Sequence, residues 1–322
     1  MGFRIAVVGS GAIGSYYGAK LAHTGSDVHF LMRGDLSEVR RDGIFVRGEG
    51  ENFRVAKINC YNSTKEIGPC DLVMIAVKAT SNADLVDLVP PLLRERTMLL
   101  TLQNGLGNEE FLAKHFGAER VLGGLCFIAI TRKSPTEVDR TAHGDVVLGE
   151  FGREAQPRTH EIASMFQDAK VPCHVRDDLA LERWRKLIWN IPFNGLSILG
   201  GGIDTAAITG DKDLRQATLA LMEEVIAAAN KCGHPLPSDA WREHMTRTET
   251  MGAYKPSTLS DWEEGRPLEI EAIWGEPLRR AVAAGRGMPR TEMIYALLKQ
   301  LDHNRPGAKN LTGLTGQVQT SQ

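Results

Sequence analysis

The feature that most constrains the fold is a glycine turn between an apolar strand and a helix near the start of the chain. The segment VVGSGAIG (7–14) places three glycines directly after an apolar run, and a second apolar run follows at 27–32. In such a turn the first glycine permits the tight bend, the second lets the backbone approach a pyrophosphate, and the third lets the helix pack close to the strand. The helix N-terminus adds backbone donors and partial positive charge. This order of elements predicts a dinucleotide site formed by Gly9, Ser10, Gly11, Ala12, Ile13 and Gly14.

The second predicted strand ends in an arginine, Arg33, and no acidic residue occupies positions 28 to 34. In an NAD site a carboxylate at the end of this strand accepts hydrogen bonds from the ribose hydroxyls. A carboxylate there would repel a 2′-phosphate, whereas a guanidinium can bind one through two parallel charge-assisted hydrogen bonds. We therefore predict that the cofactor is NADP(H) and that Arg33 binds its 2′-phosphate. The alternative is a solvated arginine in a loop.

Composition argues against several classes of protein. The 322 residues include 38 Lys and Arg against 40 Asp and Glu, a balance that gives no support for a nucleic-acid or membrane-surface partner. The longest apolar stretch, VLGGLCFIAI (121–130), is shorter than the roughly 20 residues that a membrane span requires. The five cysteines are scattered without a CxxC pair and no HExxH motif occurs, so we expect reduced thiols and no metal site. The first residues lead straight into the glycine turn without a cleavage-site pattern, and we expect a cytoplasmic protein.

The order of apolar patterns predicts two domains. In the first half, strand-like runs alternate with helical ones, which is typical of parallel strands with crossover helices. The predicted strands are 3–8, 27–32, 71–77, 97–102 and 121–130, and the predicted helices are 12–24, 80–93 and 108–116. We expect antiparallel additions at 43–60 and 136–151. Helical spacing dominates the second half, so we predict an α/β Rossmann-like domain at 1–177, an all-α domain at 178–306 and a flexible tail at 307–322.

Two polar residues follow neighbouring predicted strands of the first domain. Lys78 ends the run DLVMIAVK, and Asn104 lies in QNGLG directly after TMLLTL. Ligands of open α/β sheets bind outside the carboxyl ends of the strands, so both residues are expected at the edge where the glycine turn lies. Either residue taken alone is more typical of an ordinary loop position, whereas the two together are equally compatible with a contact to the cofactor.

The first predicted helix of the second domain has a polar face among apolar residues. Lys186, Asn190 and Asn194 follow at intervals of four, so they lie on one side of the helix. A solvent-facing stripe is the alternative, but asparagine is a poor helix former and surfaces do not require it. The residues of this helix alone leave both interpretations open, a functional face and a solvent-facing stripe, and we expect Pro192 to kink the helix near its middle.

These motifs together resemble the ketopantoate reductase family (2-dehydropantoate 2-reductases). The resemblance extends from residue 3 to about 300, with the motifs of both domains in the family's order. The matching segments are GSGAIG (9–14), VKA (77–79), QNGLG (103–107), ERWRKLIWN (182–190) and PSTLSDWEEGRPLEIE (256–271), together with Arg33 and Asn194.

The resemblance implies a role for each matching residue. Lys186 matches the family's proton donor, and Glu269 is expected to help to orient the reacting groups. The positions that match contacts to the nicotinamide half of the cofactor are Lys78, Asn104, Ala129 and Glu269. The positions that match substrate contacts are Lys186, Asn190, Asn194 and Ser257. Where the family often has a further asparagine for the substrate hydroxyl, this chain has Asp204, which we retain as a substrate-binding candidate.

The activity that the resemblance implies is NADPH-dependent reduction of 2-dehydropantoate to (R)-pantoate, a step of pantothenate and coenzyme A biosynthesis. Two alternatives stay open, and Asp204 bears on the first of them because it would bring a negative charge near a carboxylate substrate. One is an NADPH-dependent reductase of a different small 2-oxo acid, and the other is an NADP(H)-binding regulator without catalysis. The expected partners are the 2-oxo acid substrate and a second copy of the chain in a homodimer. No sequence motif by itself indicates the homodimer.

Overall fold

The computed structural model describes residues 2–48 and 50–304. Within them the chain divides after Arg183 into two compact units, which are described separately below. The boundary predicted at 177/178 lies just before the helix that begins at Leu179 and continues past Arg183. The tail predicted at 307–322 lies outside the described residues.

The first unit is built on one mixed sheet. The sheet order is β4-β3-β9-β8-β7-β6-β1-β2-β5, and β10 pairs with β9. The strands are β1 (Arg4–Val8), β2 (Asp27–Leu31), β3 (Ile44–Gly48), β4 (Glu51–Val55), β5 (Asn59–Tyr61), β6 (Leu72–Ile75), β7 (Met98–Thr101), β8 (Val121–Ser134), β9 (Glu137–Glu150) and β10 (Cys173–Val175).

The central strands are parallel and buried on both faces. From β5 through β2, β1, β6 and β7 to β8, every neighbouring pair is parallel. Along β1, Ile5 and Val7 belong to one hydrophobic cluster while Ala6 and Val8 belong to another. This two-sided burial is the reason that the strands appear in the sequence as continuous apolar runs rather than as alternating ones.

The six helices described in this unit connect or cover the strands. They are α1 (Ala12–His23), α2 (Leu36–Asp42), α3 (Thr64–Ile67), α4 (Leu85–Leu88), α5 (Asn108–Phe116) and α6 (Pro157–Asp168). The prediction of a single helix at 80–93 is wrong, because the short helix α4 lies between two 3₁₀ segments, Ala79–Asp84 and Pro90–Leu92. Adjacent prolines at 90 and 91 lack the N–H groups that an α-helix would need there.

The antiparallel additions are confirmed in part. β3 and β4 pair antiparallel, but the residues that follow form β5, which is parallel to β2. The segment at 136–151 is one long strand, β9, rather than several, and it pairs antiparallel with β8 through bulges. The Rossmann-like character of the first unit is therefore confirmed, with an antiparallel ribbon added at one side of the sheet.

The second unit is all-helical over its described residues, as predicted. The helix α7 (Leu179–Leu199) begins in the first unit and continues into the second. The others are α8 (Thr205–Gly210), α9 (Lys212–Lys231), α10 (Trp241–Met251), α11 (Ser257–Glu263), α12 (Glu276–Ala283) and α13 (Pro289–His303), with a π-helical turn at Glu271–Gly275 before α12.

The middle of α7 is the packing centre of this unit. The helix continues through Pro192, and the buried indole of Trp274 donates a hydrogen bond to the Ile191 carbonyl at 3.1 Å. A Cβ at Gly195 would lie 2.8 Å from a methyl of Ile294, so glycine permits α13 to approach α7 closely. The π-helical turn and α13 are thereby fixed against the centre of α7.

Candidate functional site

The glycine turn after β1 is packed tightly against the end of β6. Gly9 has a φ of +107°, and a Cβ there would lie 2.6 Å from the Ala76 carbonyl carbon. A Cβ at Gly14 would collide with the Gly9 carbonyl oxygen. Both glycines are therefore required by the fold itself, as the sequence motif predicts.

Gly11 differs from these two glycines, because the protein leaves open space beside it. A Cβ at Gly11 would have no other atom within 4 Å, and its φ of −74° is accessible to any residue. Packing within the chain therefore does not require glycine here, whereas a pyrophosphate approaching the backbone would. The first turn of α1 also has no acidic residue and no side-chain cap, so the residues present fit an anionic dinucleotide.

Arg33 lies two residues beyond the end of β2, at the carboxyl edge of the parallel strands. Its side chain is 70% exposed, and one guanidinium nitrogen contacts the Asp84 carboxylate at 2.7 Å. Asp84 ends the 3₁₀ segment that follows β6. The guanidinium is therefore held at the predicted edge by one carboxylate partner, while most of its surface faces solvent.

Lys78 and Asn104 lie on loops that follow adjacent strands, as the sequence predicts. Lys78 precedes the 3₁₀ segment after β6, and Asn104 lies in the loop between β7 and α5. Gln103 donates to the Asn82 side chain at 2.7 Å, and Asn82 donates to Asn108 at 3.0 Å. These three amides join the two loops.

Ala129 lies farther along the sheet than the other cofactor candidates. It is buried in β8 and pairs with Ala142 of β9. The last β8 residue that pairs with β7 is Gly123, opposite Thr101. Ala129 therefore belongs to the β8–β9 ribbon, and its contact with a cofactor stays a prediction.

Sequence reasoning missed a buried ion pair in the first unit. Arg183 and Glu109 are 3% and 4% exposed, and the Arg183 Nε donates to Glu109 at 2.9 Å. A second Arg183 nitrogen donates to the Gln103 carbonyl at 2.7 Å. One signal was available, because Arg183 lies four residues from both Leu179 and Leu187 and therefore on a buried stripe of α7.

The polar face of α7 is buried rather than solvent-facing. Asn190 is 5% exposed and Asn194 is 1% exposed, while Lys186 is half-buried. The side-chain oxygen of Asn194 is buried without a hydrogen-bond partner among the described residues. Buried polar groups are nearly always hydrogen-bonded, so an orphaned acceptor on this face indicates a position where a ligand can donate to it.

Glu269 is buried directly before the helical segment that packs on α7. It is 7% exposed, and its backbone carbonyl accepts from the Ile273 amide at 3.1 Å. The contact of Trp274 with the Ile191 carbonyl joins this segment to α7 between Asn190 and Asn194. π-Helical turns occur frequently at functional sites.

The two remaining candidates are more exposed. Ser257 is the exposed first residue of α11. Asp204 caps α8, because its carboxylate accepts from the Ala207 amide at 2.9 Å. Capping by itself accounts for an acidic residue at this position, and a contact of Asp204 with substrate stays a prediction.

Residues 2–48 and 50–304 contain neither a candidate membrane span nor a candidate metal cluster. No helix in this part of the chain is long and apolar enough to cross a membrane. No group of three or more His, Cys, Asp or Glu side chains there is arranged to hold a metal ion.

Family models match both units. The model for ketopantoate reductase PanE/ApbA matches residues 5–153, and the model for the C-terminal part of the same proteins matches residues 178–302. Together the two matches include the glycine turn, both strand-end loops and the whole of α7.

Individual relatives match almost the full length of the chain. A 2-dehydropantoate 2-reductase of Nostoc sp. is 37% identical over 310 residues, which are 94% of this chain and 97% of that protein. The crystal structure of 2-dehydropantoate 2-reductase from Geobacter metallireducens superposes with a TM-score of 0.90 at 44% identity, over 92% of this chain and 99% of that one. The crystal structure of 2-dehydropantoate 2-reductase from Methylococcus capsulatus superposes with a TM-score of 0.86 at 33% identity, over 94% of this chain and 98% of that one.

Proposed function

The chain belongs to the ketopantoate reductase family, and on that premise we propose that it reduces 2-dehydropantoate to (R)-pantoate with NADPH. This reaction belongs to pantothenate and coenzyme A biosynthesis. The observation that supports it best is the buried polar face of α7, where two asparagines accompany Lys186 and the Asn194 oxygen has no hydrogen-bond partner within residues 2–48 and 50–304.

The first unit supplies most of the residues that would hold NADPH, and Glu269 of the second unit is assigned to it as well. The backbone around Gly11 and the N-terminus of α1 receive the pyrophosphate, and Arg33 binds the 2′-phosphate. The residues assigned to the nicotinamide half are Lys78, Asn104, Ala129 and Glu269. The bound cofactor supplies the hydride that reduces the C2 carbonyl.

Lys186 donates the proton that completes the reduction. As the C2 carbonyl accepts the hydride, negative charge develops on its oxygen, and an ammonium beside that oxygen stabilises it. The Lys186 Nζ–H then protonates the oxygen to give the hydroxyl of the product. Glu269 is assigned to orienting these groups.

The substrate's own hydroxyl gives the buried asparagines a function. The Asn194 oxygen accepts a hydrogen bond from that hydroxyl and thereby gains a partner that the described part of the chain does not supply. Asn190 contributes a second amide on the same helix face, and Ser257 binds the substrate carboxylate. Asp204 stays a candidate for the hydroxyl, although its carboxylate caps α8.

The proposal is tested by NADPH oxidation against a panel of 2-oxo acids. We expect 2-dehydropantoate to be reduced with a kcat/KM at least about 100-fold above that of 2-oxoisovalerate, which lacks the hydroxymethyl group. A site that hydrogen-bonds a hydroxyl discriminates strongly against an analogue without one, because its buried polar groups are then left unpaired.

The alternatives predict other outcomes of the same assay. A preference for 2-oxoisovalerate or another unhydroxylated acid would assign the protein to a different 2-oxo acid. Tight NADPH binding without turnover of any acid would favour a regulator. The cytoplasmic location and the homodimer stay predictions, and light scattering of the purified protein tests the dimer.

A further inference from the structure

A buried ion pair lies behind the loop that contains Asn104. Both partners are almost fully buried: Arg183 is 3% exposed and Glu109 4%. Two guanidinium nitrogens of Arg183 converge on one Glu109 oxygen, and the third donates to the Gln103 carbonyl at 2.7 Å. The Gln103 carbonyl belongs to the peptide group that leads into Asn104, so this bond fixes the backbone immediately before that residue.

The carbonyl on the other side of Asn104 is fixed as well. The Asn108 side chain donates to the Asn104 carbonyl at 2.9 Å, and Asn108 is 1% exposed. The Gln103 side chain accepts from Thr101 at 2.9 Å and donates to Asn82. Both peptide carbonyls that flank the Asn104 side chain are therefore held by buried side chains.

Packing alone does not require such a pair. Buried ion pairs contribute little net stability, and apolar residues of similar volume often stabilise as well or better. β8 nevertheless leaves room for this pair, because a Cβ at Gly123 would lie 2.5 Å from the Glu109 carboxylate. Only a planar guanidinium can donate to the carboxylate and the carbonyl at once in a fixed geometry.

We propose that Arg183 is a positioning residue for the nicotinamide half of the cofactor. By holding the Gln103 carbonyl it fixes the backbone from which Asn104 reaches the nicotinamide riboside, while the adenosine half binds independently at Arg33. This inference rests on the proposed function, which assigns Asn104 to that half. All the residues that it uses belong to the first unit.

The test compares two ligands that share one half. NADPH contains both halves, whereas 2′,5′-ADP contains only the adenosine half with its 2′-phosphate. Calorimetric titration of the full chain is expected to show that Arg183→Lys weakens NADPH about 5- to 30-fold, because a buried hydrogen bond is lost. Its affinity for 2′,5′-ADP should change less than about twofold. Arg176→Lys, at an exposed arginine that pairs with Glu182, is the matched control and should change neither affinity.

Two further variants separate positioning from folding. Glu109→Gln keeps an acceptor for Arg183 and should retain NADPH affinity within about threefold, since the bond to Gln103 persists. Asn108→Ala removes the hydrogen bond to the Asn104 carbonyl and should also weaken NADPH without weakening 2′,5′-ADP. It tests the same geometry if Arg183→Lys does not fold.

Several results would overturn the inference. If Arg183→Lys or Asn108→Ala lost equal affinity for NADPH and 2′,5′-ADP, the role of these residues would be merely structural. Unchanged affinity for both ligands would likewise contradict the inference. A Glu109→Gln loss as large as that of Arg183→Lys would show that the carbonyl bond is not the cause. A failure to reduce 2-dehydropantoate would overturn the proposed substrate only, because these titrations need no 2-oxo acid.

Discussion

Arg33 presents an exposed guanidinium to solvent while Asp84 occupies one of its nitrogens. We expect Arg33→Ala to weaken NADPH binding by about 1.5–3 kcal/mol and to leave NADH binding nearly unchanged, since only NADPH has the 2′-phosphate that we assign to Arg33. Fluorescence titration with both cofactors measures the difference. Arg47→Ala removes a comparable exposed arginine, paired with Glu137 at 2.9 Å, and should alter neither affinity. Equal binding of both cofactors by the unaltered protein would contradict the assignment.

Lys186 is the other single residue on which the proposal depends. Lys186→Ala is expected to lower kcat by roughly 10²–10⁴ because a general acid acts in the transition state. Its affinity for NADPH should stay within about twofold of the unaltered protein, as measured by titration. Near-normal turnover in this variant would exclude Lys186 as the proton donor.

At the scale of elements, a carboxylate from helix α9 binds the N-terminus of helix α13. The buried Glu224 side chain accepts from the backbone amides of Arg290 at 3.1 Å and Thr291 at 2.8 Å. It satisfies N–H groups that a helix N-terminus leaves without partners, and its charge is favourable there. The contact fixes one end of α13, the helix that also packs against α7 at Gly195.

We expect Glu224→Ala to lower the free energy of unfolding by about 2–3 kcal/mol, because buried donors lose a charged acceptor. Urea unfolding followed by circular dichroism measures the change. Glu223→Ala, at the exposed neighbouring position of α9, is the control and should stay within about 0.5 kcal/mol. Similar losses for both variants would rule out a specific role of the Glu224 contact.

At the scale of the whole molecule, stability is expected to fall in acid, and His244 and Glu150 contribute to that fall in successive pH ranges. Burial lowers the pKa of His244 from 6.5 to about 4, with Arg185 and Arg247 adding to the effect and Glu243 opposing it. Burial alone would raise the pKa of Glu150, but hydrogen bonds from Arg158 and Thr159 hold it below 4.5.

The sign follows from proton binding. Between pH 6.5 and about 4 the unfolded chain binds a proton at His244 that the folded chain does not, so stability falls as the pH drops through that range. The Glu150 contribution is complete above pH 4.5 and is lost as the pH falls through its lower folded value.

Between pH 6.5 and 4, we expect the unfolding free energy of His244→Gln to fall less than that of the unaltered protein. The difference is expected to be on the order of 1–3 kcal/mol. Urea unfolding at a series of pH values measures the slope. His160→Gln, at an exposed position, should leave the slope unchanged. An unaltered slope in His244→Gln would show that His244 does not titrate differently in the two states.

The sequence by itself determined the features that depend on a few neighbouring residues. The bends at Gly9 and Gly14, the parallel direction of the central strands and the bounds of α5 at Asn108–Phe116 follow from glycines, apolar runs and periodicity. The same local patterns placed the asparagines on one face of α7, whereas their burial is known only from the structure.

Tertiary structure decided the features that join distant parts of the chain. Arg183 and Glu109 are 74 residues apart, Trp274 and Ile191 are 83 apart, and Glu224 and Thr291 are 67 apart. Periodicity spans only a few turns of a helix, so it cannot reveal which distant partner compensates a buried charge or an unpaired amide. Whether a polar side chain is solvated or buried and paired is settled only when the elements that surround it have packed.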